Sequence, residues 1–132
     1  MKVSQLLREG YVAYVLDDQS RNNLAKLFPP KYPDWIGHHV TVEFGVPKDP
    51  SLPFGEATDV QVVGYAEDDG IEALVVAVNG ETTRPDGKTY HITWSLDRSK
   101  GRKPVDSNNV LSQRGFTKVN PTVVHATLQY LT

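Results

Sequence analysis

Residues 37–45 read Gly37-His38-His39-Val40-Thr41-Val42-Glu43-Phe44-Gly45, and a similar cadence returns as Tyr90-His91-Ile92-Thr93-Trp94-Ser95-Leu96. Successive side chains of an extended chain point to opposite faces, so the alternation predicts two β-strands. On the first, His39, Thr41 and Glu43 are expected to share one face, with Val40, Val42 and Phe44 on the other. On the second, His91, Thr93 and Ser95 share a face, and Tyr90, Ile92, Trp94 and Leu96 turn towards a core. His38 is expected on the face opposite His39. Each strand thus offers an imidazole and a hydroxyl roughly 7 Å apart on one polar face, a spacing suited to a phosphate.

Working outward, Tyr11 to Leu16 is an aromatic and β-branched run read as a buried strand, and Ser20 to Phe28 as a short helix halted by Pro29-Pro30. Val60 to Tyr65 and Ile71 to Val78 read as a hairpin across the turn Glu67-Asp68-Asp69-Gly70. The turn Arg84-Pro85-Asp86-Gly87 precedes a strand predicted over Lys88 to Leu96. Asp97 to Asn109 reads as a basic loop, Asn109 to Gln113 as one helical turn, and Thr122 to Leu131 as the last strand. Repeats and low-complexity segments are not evident, and 132 residues suit one domain spanning 1–132.

Composition narrows the function. With 39% hydrophobic and 23% charged residues and no long apolar run, the chain reads as a soluble globular protein without a membrane span. The first ten residues are too polar for a signal-peptide core, so a cytoplasmic location is expected, the host cytoplasm if the source is viral. Zero cysteines exclude disulfides, a thiol nucleophile and thiolate metal sites. A net charge of −2 argues against coating long nucleic acid, while leaving room for a small phosphate ligand.

The chemistry that two His-x-Thr strands can perform is phosphodiester cleavage. A base must deprotonate the attacking hydroxyl, an acid must protonate the leaving oxygen, and the hydroxyls can grip the non-bridging oxygens. His39 and His91 are therefore the candidate acid–base pair, with Thr41 and Thr93 as phosphate donors. Four histidines and ten threonines give roughly 0.3 His-x-Thr matches by chance, and three are present. The third, His125-Ala126-Thr127, also falls in a predicted strand; the first two are preferred for their bulky apolar flanks. A catalytic metal is not expected, because neither H-E-x-x-H nor an Asp-rich pair occurs. The basic segment from Arg98 to Lys103 is either solvated surface or a cover for a phosphate chain. Tyr11, Tyr14, Tyr32 and Trp35 are either packing residues or platforms for a base.

The two motif segments, with Lys103-Pro104-Val105-Asp106-Ser107-Asn108 downstream, resemble the two-histidine phosphoesterase superfamily. Within it they resemble the phage branch that includes anti-CBASS nucleases of cyclic oligonucleotide messengers and RNA-repair-like proteins. The resemblance covers most of the chain. It implies an α+β, bilobal fold in which antiparallel sheets form a concave groove with helices outside. It also implies catalytic roles for His39, Thr41, His91 and Thr93, and substrate binding by Lys103, Ser107 and Asn108. No cofactor is expected, and the expected partner is a cyclic oligonucleotide or short RNA-like substrate. The leading expectation is cleavage of 3′–5′ bonds in a cyclic oligonucleotide. The alternatives are a 2′,3′-cyclic phosphodiesterase acting on RNA ends and a non-catalytic protein that sequesters nucleotides.

Overall fold

The computed structural model describes residues 10–132; the polar segment before Gly10, read above as lacking a signal core, lies outside them. The strands are β1 (Gly10–Leu16), β2 (Asp34–Trp35), β3 (His39–Val46), β4 (Ala57–Asp68), β5 (Ile71–Ala77), β6 (His91–Leu96) and β7 (Thr117–Leu131). The helices are α1 (Asp18–Leu27) and α2 (Asp106–Arg114), with a 3₁₀ turn at Arg98–Lys100.

The sheet order is β2-β6-β3-β1-β7-β4-β5, and β6 also pairs with β5, so six strands close on themselves through antiparallel ladders. The molecule is a mostly-β closed barrel, which overturns the expectation of an α+β bilobal fold with a groove between lobes. Two features force closure. First, β6 has a partner on each side, Val40 of β3 against Ile92 and Leu74 of β5 against the same residue. Second, β7 pairs along one edge with β1 and along the other with β4, so no free edge separates two halves.

Leu16, Val40, Val60, Val62, Leu74, Val76, Ile92, Trp94, Val124 and Ala126 come from all six barrel strands and pack into one buried cluster, the barrel interior. Asp17 caps α1 by accepting from the Ser20 amide at 2.7 Å, and α1 contributes Leu24 to that cluster. Outside the barrel, Val110 and Leu111 of α2 pack on Val75 and Leu96. All seven residues of β5 are consequently buried, which explains why its sequence, apart from Glu72, is apolar throughout rather than alternating.

The turn after Glu67 joins β4 to β5 as expected, pairing Asp68 with Ile71. The last strand starts at Thr117 instead of Thr122. Asn120-Pro121 sits in a bulge where Val62 pairs with Thr122 and Gly64 with Lys118. The final helix is longer than one turn, running from Asp106 to Arg114 because its apolar side is held against β5 and β6. Among the described residues no helix is long and apolar enough to cross a membrane.

Candidate active site

The interior claims Val40, Ile92 and Trp94, all fully buried, so the alternate residues of β3 and β6 point outward. His39, Thr41, His91 and Thr93 line one open cleft of about 220 Å³ on the outer wall. Its floor is the seam where β3 meets β6 at Val40 opposite Ile92. In an antiparallel pair this puts His39 on the Thr93 side of the seam and Thr41 on the His91 side.

Arg21 of α1 fixes the approach to β3. Its Nε donates to the Gly37 carbonyl at 3.1 Å and its Nη2 to those of Trp35 and Ile36, while the guanidinium lies 3.5 Å from the Trp35 ring. Gly37 has φ of 48° and passes so close to Trp94 that a Cβ there would stand 2.7 Å from the indole. The chain is therefore not extended before His39, and strand alternation does not apply to it. This corrects the placement of His38, which lines the same cleft as His39 with the two Nδ1 atoms 2.9 Å apart.

A bulge makes a second correction. Val12 of β1 pairs with Glu43 and Ala13 with Thr41, so Val42 is an extra residue and the alternation changes phase after it. Phe44, expected on the core face, is 69% exposed and lines the cleft, whereas Glu43 does not. Tyr11 stacks on Phe44 at 5.5 Å between centroids and lies 5.3 Å from the His39 ring. Of the aromatic residues considered from sequence, Tyr11 is the one beside the site. Tyr14 packs against the core, Tyr32 donates to Glu67 at 2.6 Å, and Trp35 packs on Trp94.

His91 is 9% exposed, and its Nδ1 donates to the Thr89 carbonyl at 2.8 Å, which leaves Nε2 as the nitrogen without a partner among the described residues. The Thr93 hydroxyl donates to the Pro104 carbonyl at 3.2 Å and lies 2.9 Å from the Ser107 hydroxyl. Ser107 is fully buried and holds Thr93 from α2. Asn108 lines the cleft, and its Oδ1 is buried without a hydrogen-bond partner among the described residues. Lys103 is exposed and its amide donates to Asp106 at 2.9 Å; it does not line this cleft. Ser95 is directed away, donating to the buried carboxylate of Glu72 at 2.5 Å.

The basic loop does not cover the cleft. Lys100 pairs with Asp69 at 2.6 Å and Arg102 with Asp68 at 3.1 Å, so these cations brace the acidic β4–β5 turn. The third His-x-Thr motif stays outside too, with His125 bound to Asp59 of β4 at 2.5 Å. The sequence reading missed Arg84 and Lys88, whose hairpin brings them to the cleft beside His91. Among the described residues no group of three or more His, Cys, Asp or Glu converges as a metal site.

No family model, curated protein or solved structure matches this chain. The chemistry must be argued from the cleft itself. Burial holds the His39 imidazole down to a pKa of about 4, with smaller contributions from the charges of His38 and His91. Burial likewise lowers His91; the Thr89 carbonyl opposes the shift, and Arg84 and Lys88 reinforce it. Both imidazoles are neutral at pH 7 in the ligand-free cleft. An anion seated between them favours their charged forms, so phosphate and proton bind together.

Proposed function

We propose that this protein is a two-histidine phosphodiesterase that cleaves a ribonucleotide phosphodiester, with a cyclic oligonucleotide as its substrate class. The observation that carries the reading is the meeting of two imidazoles and two hydroxyls from β3 and β6 in one cleft, with His91 Nε2 lacking a partner among the described residues. One imidazole takes the proton of a ribose 2′-hydroxyl, and the O2′–P bond forms as the P–O5′ bond breaks. The other, as imidazolium, gives its proton to the departing O5′. The products are a 2′,3′-cyclic phosphate and a free 5′-hydroxyl. Thr41 donates to a non-bridging oxygen, and Thr93 does so once its proton swings from the Pro104 carbonyl. Tyr11 and the exposed Phe44 supply a flat apolar face for a base.

This reading stands on side-chain chemistry rather than fold, because the closed barrel is not the architecture the resemblance implies. Its test is mass-resolved chromatography of cyclic di- and trinucleotides, their 2′-deoxy analogues and 2′,3′-cyclic mononucleotides after incubation with the protein. Linear products from the ribose rings and none from the deoxy rings are expected. Turnover of cyclic mononucleotides alone would transfer the protein to RNA-end processing. Efficient cleavage of deoxy rings would remove the 2′-hydroxyl from the mechanism.

A further inference from the structure

The hairpin before β6 carries two cations into the cleft that the acid–base scheme does not use. Thr83 bridges Thr89, the Arg84 amide donates to the Lys88 carbonyl at 2.7 Å, and the Gly87 amide donates to the Arg84 carbonyl at 2.9 Å. Arg84 is 5% exposed although it carries a permanent charge. Such a group is kept buried only by firm pairing. Asp86 provides it, accepting from Nε at 3.1 Å and Nη2 at 2.6 Å in a fork-to-fork contact, and accepting the Lys88 amide at 3.0 Å as well. Asp86 stays ionised, its carboxyl held down to about 2 chiefly by the hydrogen bond from Arg84. Against this one carboxylate stand two cations, and Lys88 is exposed with its ammonium available to a ligand.

We propose that Arg84 and Lys88 form a second phosphate subsite beside the catalytic one, so that the preferred substrate carries a further phosphate adjoining the scissile group. The proposal rests on the phosphodiesterase reading and deepens it by naming the residues that hold the phosphate next to the scissile one. Its physical logic lies in the placement next to His91. A cation pair there opposes formation of the imidazolium, and an anion seated on the pair removes that opposition. A second phosphate on this pair therefore adds to the first in favouring the charged form of His91, against the larger effect of burial.

The test is isothermal titration of His39→Ala protein with 3′,3′-cyclic di-AMP and with adenosine 2′,3′-cyclic monophosphate, repeated with Lys88→Ala added. Lys88→Ala is expected to weaken the cyclic dinucleotide about tenfold and the mononucleotide by about twofold or less. Arg84→Gln is expected to act in the same direction; if it lowers the melting temperature, the exposed Lys88 decides. Equal weakening of both ligands, or no weakening, would overturn the second subsite. So would absence of binding by the cyclic dinucleotide. Loss of the subsite alone leaves wild-type turnover of these nucleotides intact, whereas failure of the phosphodiesterase reading appears as no wild-type turnover at all.

Discussion

Val40 and Ile92 face each other across the seam between β3 and β6, and both are fully buried inside the barrel. One interior contact thereby sets the separation of the two His–Thr pairs that line the cleft. Ile92→Ala leaves a void beneath the cleft and is expected to cost about 2–5 kcal/mol in chemical denaturation. Ile92→Val removes one methyl, costs about 1 kcal/mol, and should lower turnover more than ligand binding. Unchanged turnover in a folded Ile92→Ala protein would show that the seam does not position the pair.

Acid should unfold this protein through its histidines. The His39 pKa is about 4 in the folded chain against an ordinary value of 6.5. The unfolded chain therefore binds more protons between these values, and stability rises with pH across that window. Stability is fully present above about pH 6.5 and is lost as pH falls towards 4, by an amount on the order of 3 kcal/mol from His39. Denaturation midpoints at pH 7 and pH 5 measure it; equal midpoints would contradict a buried neutral His39.

His38 opposes protonation of its neighbour, in addition to the larger effect of burial. His38→Asn is expected to raise the His39 pKa while leaving it below 6.5, as followed by the imidazole proton resonance across pH. A titration midpoint that does not move would mean that His38 has no part in setting the value.

Phe44 offers a separation of binding from folding. It is 69% exposed, so Phe44→Ala should change stability by no more than about 0.5 kcal/mol. If a base stacks on it, KM should rise about tenfold or more with kcat nearly unchanged. An unaltered KM would leave the Tyr11–Phe44 face without a ligand role.

Ser107 touches Thr93 from a fully buried position on α2. Ser107→Ala is expected to cost about 1 kcal/mol and to reduce turnover through a freer Thr93 hydroxyl, with rescue by Ser107→Thr if the added methyl is accommodated. A variant as active as the parent would show that the Pro104 carbonyl suffices to hold Thr93.

The parts of this architecture written in local pattern were legible in the sequence. Alternation around His91 and Thr93 identified Ile92 and Trp94 as interior residues, and the acidic turn before Ile71 announced a hairpin. What escaped depends on partners distant in the chain. The extra residue at Val42 exists only in register with Val12 and Ala13, and it alone brings Phe44 to the cleft. Closure depends on Ile92 meeting Val40 and Leu74 at once, which no single segment encodes. Arg84 reads in the sequence only as part of a turn, because its place beside His91 depends on where the hairpin meets the cleft wall. Sequence left the basic segment open between surface and phosphate cover for a related reason: Lys100 and Arg102 answer Asp69 and Asp68, more than thirty residues earlier in the chain.

The most direct measurement is the cleavage rate of a ribose cyclic dinucleotide in excess chelator, for the wild-type protein beside His39→Ala and His91→Ala. The account expects turnover by the wild type and a loss of about 10²- to 10⁴-fold in each variant, with both variants still folded by circular dichroism. Wild-type turnover that survives either substitution would contradict the two-histidine mechanism.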